Sequence, residues 1–360
     1  MNILILTTHL NPGGLSRYVL NLAKGLSEKQ HNVYVGCSGG EWAKYLKEQN
    51  VGYKKLPIDT KSILSIKILF SAVILSRWCR LKRIEVIHAN TRVTQLLGLL
   101  MWKLSRIPYI STFHGFYKHI FFRRLIKISG VKTIAISKAV RKYLIEDLKF
   151  KERNIELVYN GVDFESLSSR INIREKYGFT EADFLIGILG RISEEKGQFL
   201  ALDALHNILV KNKDVYFLVS GKGKQEVALK TLVQKLKLNK KVKFVQCESG
   251  EFLNTVNILL VPSRKEGFGY SIVEAFFKEV PVIGYNTGGI SEIIKNNING
   301  FLFYGYNREE LEKRIEETMS NSDVVNKIII RAKEDALSFS YTKMAEATER
   351  VYKEAMNLTQ

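Results

Sequence analysis

Two carboxylates, Glu266 and Glu274, flank a pair of glycines, Gly267 and Gly269, and those four residues are where this chain could do chemistry. An apolar run from Ile258 to Val261 ends at Pro262, and the glycine loop follows. A periodic apolar segment closing at Phe277 then predicts a helix. Strand, glycine loop and helix suit an anion. Glycine lets backbone N–H groups approach a ligand closely, and the helix start offers unpaired donors and the positive end of its dipole. A carboxylate at the mouth of such a cradle repels the anion that the cradle attracts, whereas the alcohols of a sugar and a ribose are neutral donors that would account for it. The combination suggests a sugar nucleotide rather than a free phosphate.

Cations stand at a second strand end. Phe184 to Leu189 predicts a strand, Gly190-Arg191 and Lys196-Gly197 form the turn, and a helix runs from Phe199. Arginine grips phosphate oxygens in pairs and lysine supplies a point charge, so Arg191 and Lys196 suit a diphosphate. The competing reading pairs them with Glu194 and Glu195 on the surface. Near the start, the strand Ile3 to Leu6 leads to Gly13-Gly14 and a helical pattern. This places a glycine turn at the carboxyl end of a strand, where parallel sheets bind ligands, although a tight turn alone also requires glycine. His114 follows the strand Tyr109 to Phe113, and His88 ends the strand Val86 to Ala89. A lone histidine is usually structural, and for His88 a buried, hydrogen-bonded ring is the stronger reading.

The ordered set Asn160-Gly161-Val162-Asp163, Glu266-Gly267-Phe268-Gly269, Glu274, Pro281-Val282-Ile283, Gly288-Gly289-Ile290-Ser291-Glu292 and Asn299-Gly300-Phe301-Leu302 resembles the retaining group 1 (family 4) glycosyltransferases over nearly the whole chain. The resemblance implies an α/β GT-B fold: two Rossmann-like parallel-sheet domains facing across a cleft, with the C-terminal helix returning to the first domain. It gives Glu266 the hydroxyls of the donor sugar, Arg191 and Lys196 the diphosphate, and His114 a contact with the transferred sugar. It adds Gly13, Gly14, Gly267, Phe268, Gly269, Tyr270 and Glu274 to the donor site, with Glu274 on the ribose unless it is a solvated helix glutamate.

The implied donor is a nucleoside diphosphate sugar, UDP-linked in preference to GDP-linked, with no cofactor. The implied acceptor is a hydroxyl of a glycan or lipid-linked saccharide, as in surface polysaccharide (lipopolysaccharide, capsule) or glycolipid assembly. Attack from the front face, with a leaving phosphate oxygen taking the acceptor's proton, would retain the anomeric configuration. No Asp-x-Asp occurs in the chain, in keeping with metal-independent chemistry. One departure concerns Gly221-Lys222-Gly223, where the family often has an acidic residue between the glycines; Glu226 also stands where a dinucleotide fingerprint needs its third glycine. Rival readings are a GT-B sugar-nucleotide epimerase, separable by product analysis, and a non-catalytic nucleotide-sugar-binding protein.

These residues must be positioned by two domains, for which 360 residues at 46% apolar suffice. The expected division is 1–168, 169–340 and a returning 341–360, with the boundary in the polar, aperiodic stretch 164–174. Cys37, Cys79 and Cys247 are scattered, which points to a reducing compartment without disulfides or zinc. The opening residues read as a strand rather than a signal peptide, and Lys67 interrupts the longest apolar run, Ile63 to Leu75. A cytoplasmic protein is expected.

Residues 1–165 carry 27 Lys+Arg against 11 Asp+Glu, and residues 60–150 carry 18 against 3. Such a field attracts anionic surfaces. No nucleic-acid motif accompanies it, so no nucleic-acid partner is expected. The segment 118–128 has Phe121, Phe122, Leu125, Ile126 and Ile128 on one helical arc and Arg123, Arg124 and Lys127 mostly opposite. It predicts a peripheral contact with the anionic inner face of the cell membrane, against the alternative of a helix packed on its own core.

Overall fold

The computed structural model describes residues 1–60, 62–117 and 128–358. The expected amphipathic helix at 118–128 therefore lies almost entirely outside the described residues; Ile128 is described, and it is buried. The chain divides into two compact units, Met1–Gly161 with Phe339–Gln360, and Val162–Ser338.

The first unit holds a parallel sheet of β1 Asn2–Leu6, β2 Asn32–Cys37, β3 Gly52–Lys55, β4 Val86–Ala89, β5 Tyr109–Phe113, β6 Lys132–Ala135 and β7 Ile155–Leu157, in the order β3-β2-β1-β4-β5-β6-β7. The second holds β8 Phe184–Leu189, β9 Val215–Ser220, β10 Val242–Val245, β11 Ile258–Val261, β12 Val282–Tyr285 and β13 Phe301–Phe303, in the order β10-β9-β8-β11-β12-β13. Every pairing is parallel. Parallel strands need crossover segments on the sheet faces, so both faces are covered and the strands read as apolar runs. Every residue of β4, β5, β6 and β11 is buried accordingly.

The strand order reverses between β1 and β4 in one sheet and between β8 and β11 in the other. At such a reversal the crossovers on either side leave to opposite faces, which opens a crevice beyond the carboxyl ends of the two strands. Gly13-Gly14 and Asn90 lie just beyond the first pair of strand ends, and Gly190 to Lys196 and Pro262 to Gly269 beyond the second.

The terminal helix Tyr341–Asn357 belongs to the first unit, where it packs against the helix Gly14–Glu28. The approach is close: a Cβ on Gly25 would lie 2.7 Å from the Ala345 Cβ, and one on Gly161 would lie 2.4 Å from the Tyr341 Cα. Among the described residues, no helix is long and apolar enough to cross a membrane.

Candidate functional site

In the second unit the loops after β8 and β11 meet. Lys196 closes a short 3-10 turn, Glu194–Lys196, and its Nζ donates to Glu266 Oε2 at 2.5 Å. Both side chains keep part of their surface in water, 30% for Lys196 and 16% for Glu266. Backbone contacts fix the approach of the loops: the Arg264 N–H donates to the Glu195 carbonyl at 2.9 Å, and a Cβ on Gly197 would stand 2.2 Å from the Pro262 carbonyl oxygen. Arg191 is exposed and makes no ion pair among the described residues, so the surface pairing of Arg191 and Lys196 with Glu194 and Glu195 does not form. Gln198 Nε2 instead donates to the Arg191 carbonyl and holds the backbone of the turn.

The loop that carries Glu266 is anchored on both sides. Phe268 is 2% exposed and meets Tyr270 edge-on at 5.4 Å, so its side chain anchors the loop and only its backbone is left for a ligand. On the other side lies the Gly288-Gly289 turn. The Gly289 N–H donates to the Glu266 carbonyl at 2.9 Å; a Cβ on Gly288 would sit 2.4 Å from that same oxygen, and one on Gly289 would sit 2.7 Å from the Gly267 oxygen. Those two glycines therefore serve close approach. Gly269 caps the helix Tyr270–Phe277 in a left-handed conformation. Glu274, inside that helix, is only 2% exposed and is not a solvated helix glutamate. The Gly221-Lys222-Gly223 loop has a packing role: added Cβ atoms would fall 2.0 Å from the Gly190 oxygen and 1.9 Å from the Ile192 oxygen. Its glycines let it back the turn that holds Arg191.

In the first unit, Gly13 starts the helix Gly14–Glu28 with φ 155° and ψ 166°, and a Cβ there would meet nothing within 4 Å. The backbone conformation, rather than crowding, selects glycine at this strand end. His114 Nε2 lies 3.1 Å from Asn90 Oδ1, and its ring meets Tyr18 edge-on at 4.6 Å. Loss of water around the imidazole pushes its pKa down to about 3, so it is neutral at ordinary pH.

His88 is fully buried, with Nδ1 2.6 Å from the Tyr352 hydroxyl and Nε2 2.6 Å from Thr112 Oγ1. Burial, with His114 nearby, pushes His88 down to about 3 as well. It is the buried, hydrogen-bonded histidine that the stronger reading of the sequence expects. Asn90 and Tyr352 escape sequence reading. Asn90 has no motif, and Tyr352 lies 264 positions from its histidine partner.

The glycosyl transferases group 1 model matches residues 169–335, and the glycosyltransferase family 4 model matches residues 12–166. The chain belongs to the group 1 glycosyltransferases. This glycosyltransferase is 26% identical to an uncharacterized glycosyltransferase of Methanocaldococcus jannaschii, over 99% of each chain. It is 24% identical to the Escherichia coli UDP-Gal:alpha-D-GlcNAc-diphosphoundecaprenol alpha-1,3-galactosyltransferase, over 80% of each. Its fold matches the crystal structure of Anabaena HepE in complex with UDP and glucose, with a TM-score of 0.84 at 21% identity, covering 97% of this chain and 98% of that one. The glycosyltransferase thus has the two Rossmann-like domains of the GT-B fold.

Proposed function

We propose that this glycosyltransferase moves a sugar, with retention and without a metal, from a UDP-linked donor to a hydroxyl of a lipid-linked glycan at the membrane surface. The observation that carries the reading is the Lys196–Glu266 ion pair, which joins the two loops beyond the β8/β11 reversal. An ammonium group has three N–H donors, and Glu266 takes one of Lys196's. The others, with the unpaired Arg191 guanidinium and the backbone N–H groups from Gly267 to Tyr270, stabilise charge developing on the leaving diphosphate. Neutralised by Lys196, Glu266 does not repel that diphosphate and keeps a free oxygen for sugar hydroxyls. Glu274 is assigned to the ribose and His114 to the transferred sugar. The acceptor oxygen bonds to the anomeric carbon as the bond to the phosphate oxygen breaks, and that phosphate oxygen takes the acceptor's proton.

Two features support the donor and acceptor classes. The fold neighbour holds UDP and glucose, and the Escherichia coli relative is named for transfer to a sugar on a lipid diphosphate. The test is transfer from UDP-sugars to a lipid-linked acceptor extract, followed by mass spectrometry with EDTA present. Lys196→Ala and Glu266→Ala are each expected to lose transfer by about two orders of magnitude, the scale of removing one charge-stabilising donor. Undiminished turnover in either variant, or a strict need for added divalent metal, would refute the reading.

A further inference from the structure

The helix Ile66–Leu81 is apolar on two opposite faces, and only one of them is covered. Ile68, Ala72, Leu75 and Cys79 pack into the core of the first unit. The opposite face carries Ile66, Leu69, Phe70 and Val73, exposed by 78%, 56%, 62% and 67%. Those residues recur at the helical interval and form one stripe, which Leu64, 90% exposed, extends past the helix start. A soluble helix ordinarily turns polar residues to water; large contiguous apolar patches on a surface mark a binding site.

The charge next to the stripe indicates what covers it. Arg77, one helical turn beyond Val73, continues the same face, and Arg80 and Leu81 follow. Arg77 and Arg80, together with Arg83, Lys103 and Arg106 on neighbouring elements, make no ion pair with a carboxylate among the described residues. Among the described residues, the one acid paired with a cation of this helix is Asp59, which accepts from Lys67 Nζ at 2.8 Å. Between the helix and the end of Arg92–Ser105 runs an apolar groove lined by Val73, Ile74, Trp78, Leu81 and Leu104, with Arg77 and Arg80 also on its wall. An apolar stripe passing into unpaired arginines complements a surface that is hydrocarbon within and anionic at its face. A protein partner would need matching carboxylates; an acidic bilayer supplies both properties at once.

We infer that this face, from Leu64 to Leu81, docks the enzyme on an anionic lipid bilayer, with Leu69, Phe70 and Val73 entering the acyl boundary and Arg77 and Arg80 meeting headgroup phosphates. The inference rests on the reading of a membrane-borne acceptor for its purpose, and the test separates the two. Flotation with mixed phosphatidylglycerol and phosphatidylcholine vesicles is compared with flotation on phosphatidylcholine alone, for the wild type, Leu69→Asp/Phe70→Asp and Arg77→Glu/Arg80→Glu.

The wild type is expected to float with the anionic vesicles at low salt and not with the neutral ones. Both variants are expected to partition at least about tenfold more weakly. Because all four side chains are exposed, both variants are expected to melt like the wild type and to keep transfer to a water-soluble acceptor analogue; a wild type that floats with anionic vesicles yet transfers nothing to that analogue would count against the catalytic reading and not against docking. Variants that float as well as the wild type, equal wild-type binding to neutral vesicles, or a wild-type dimer that Leu69→Asp/Phe70→Asp converts to monomer in sedimentation would overturn the inference.

Discussion

Two histidines show how little a residue type reveals about its work. His88 and His114 both end strands of the first sheet, yet one is sealed between Tyr352 and Thr112 and the other is held by Asn90 under Tyr18. Both are held neutral in the fold, with pKa values pushed from 6.5 down to about 3 by burial. The unfolded chain binds protons at these sites below about pH 6.5, so folding stability falls as the pH drops from there towards 3 and is complete above that window. Urea denaturation at a series of pH values should show this slope, and His88→Gln should flatten it; a slope unchanged in that variant would remove His88 from the account.

At this scale the sequence was legible where chemistry and motif coincided. Lys196 and Glu266 were readable as charges, but their pairing was not, because a 70-residue separation hides contact from any local pattern. For Glu274 the sequence leaves a solvated helix glutamate open beside a ribose contact, and the structure buries it, because the face of its helix is decided by packing on the sheet.

The strands are the most legible elements. Val86 to Ala89, Tyr109 to Phe113, Phe184 to Leu189 and Ile258 to Val261 have the expected bounds, because strands buried on both faces are written as unbroken apolar runs. Turns are less legible, since glycine serves several ends. Gly13 is selected by its backbone angles, whereas Gly288 and Gly289 are selected by the nearness of the Glu266 loop. Gly289→Val should therefore push the loop away. A loss of about 1–3 kcal/mol in denaturant unfolding is expected, the usual cost of overpacking, with weaker donor binding in calorimetry. Wild-type values for both would show that the turn yields freely.

For the whole molecule, the sequence indicates two domains, and the structure divides the chain after Gly161 and again after Ser338. The charge is carried unevenly: 27 of the 55 basic residues but only 11 of the 36 acidic ones lie in residues 1–165. The returning helix is integral to its unit, since Met344, Ala345, Val351 and Tyr352 are buried. A chain ending at Ser338 would expose the apolar face of Gly14–Glu28 and strip His88 of its tyrosine. It should be recovered mainly as aggregate, and a soluble, cooperatively melting product would contradict that dependence.

Because Phe339–Gln360 complete the first unit and are made after Val162–Ser338, the first unit cannot close until the second has been synthesised. The segment Val162–Ser338 emerges whole before its predecessor is finished, so the later half is free to fold first. The first unit, with its excess of basic residues, therefore waits for its returning helix while the second is made, and over that interval the apolar face of Gly14–Glu28 lacks its cover.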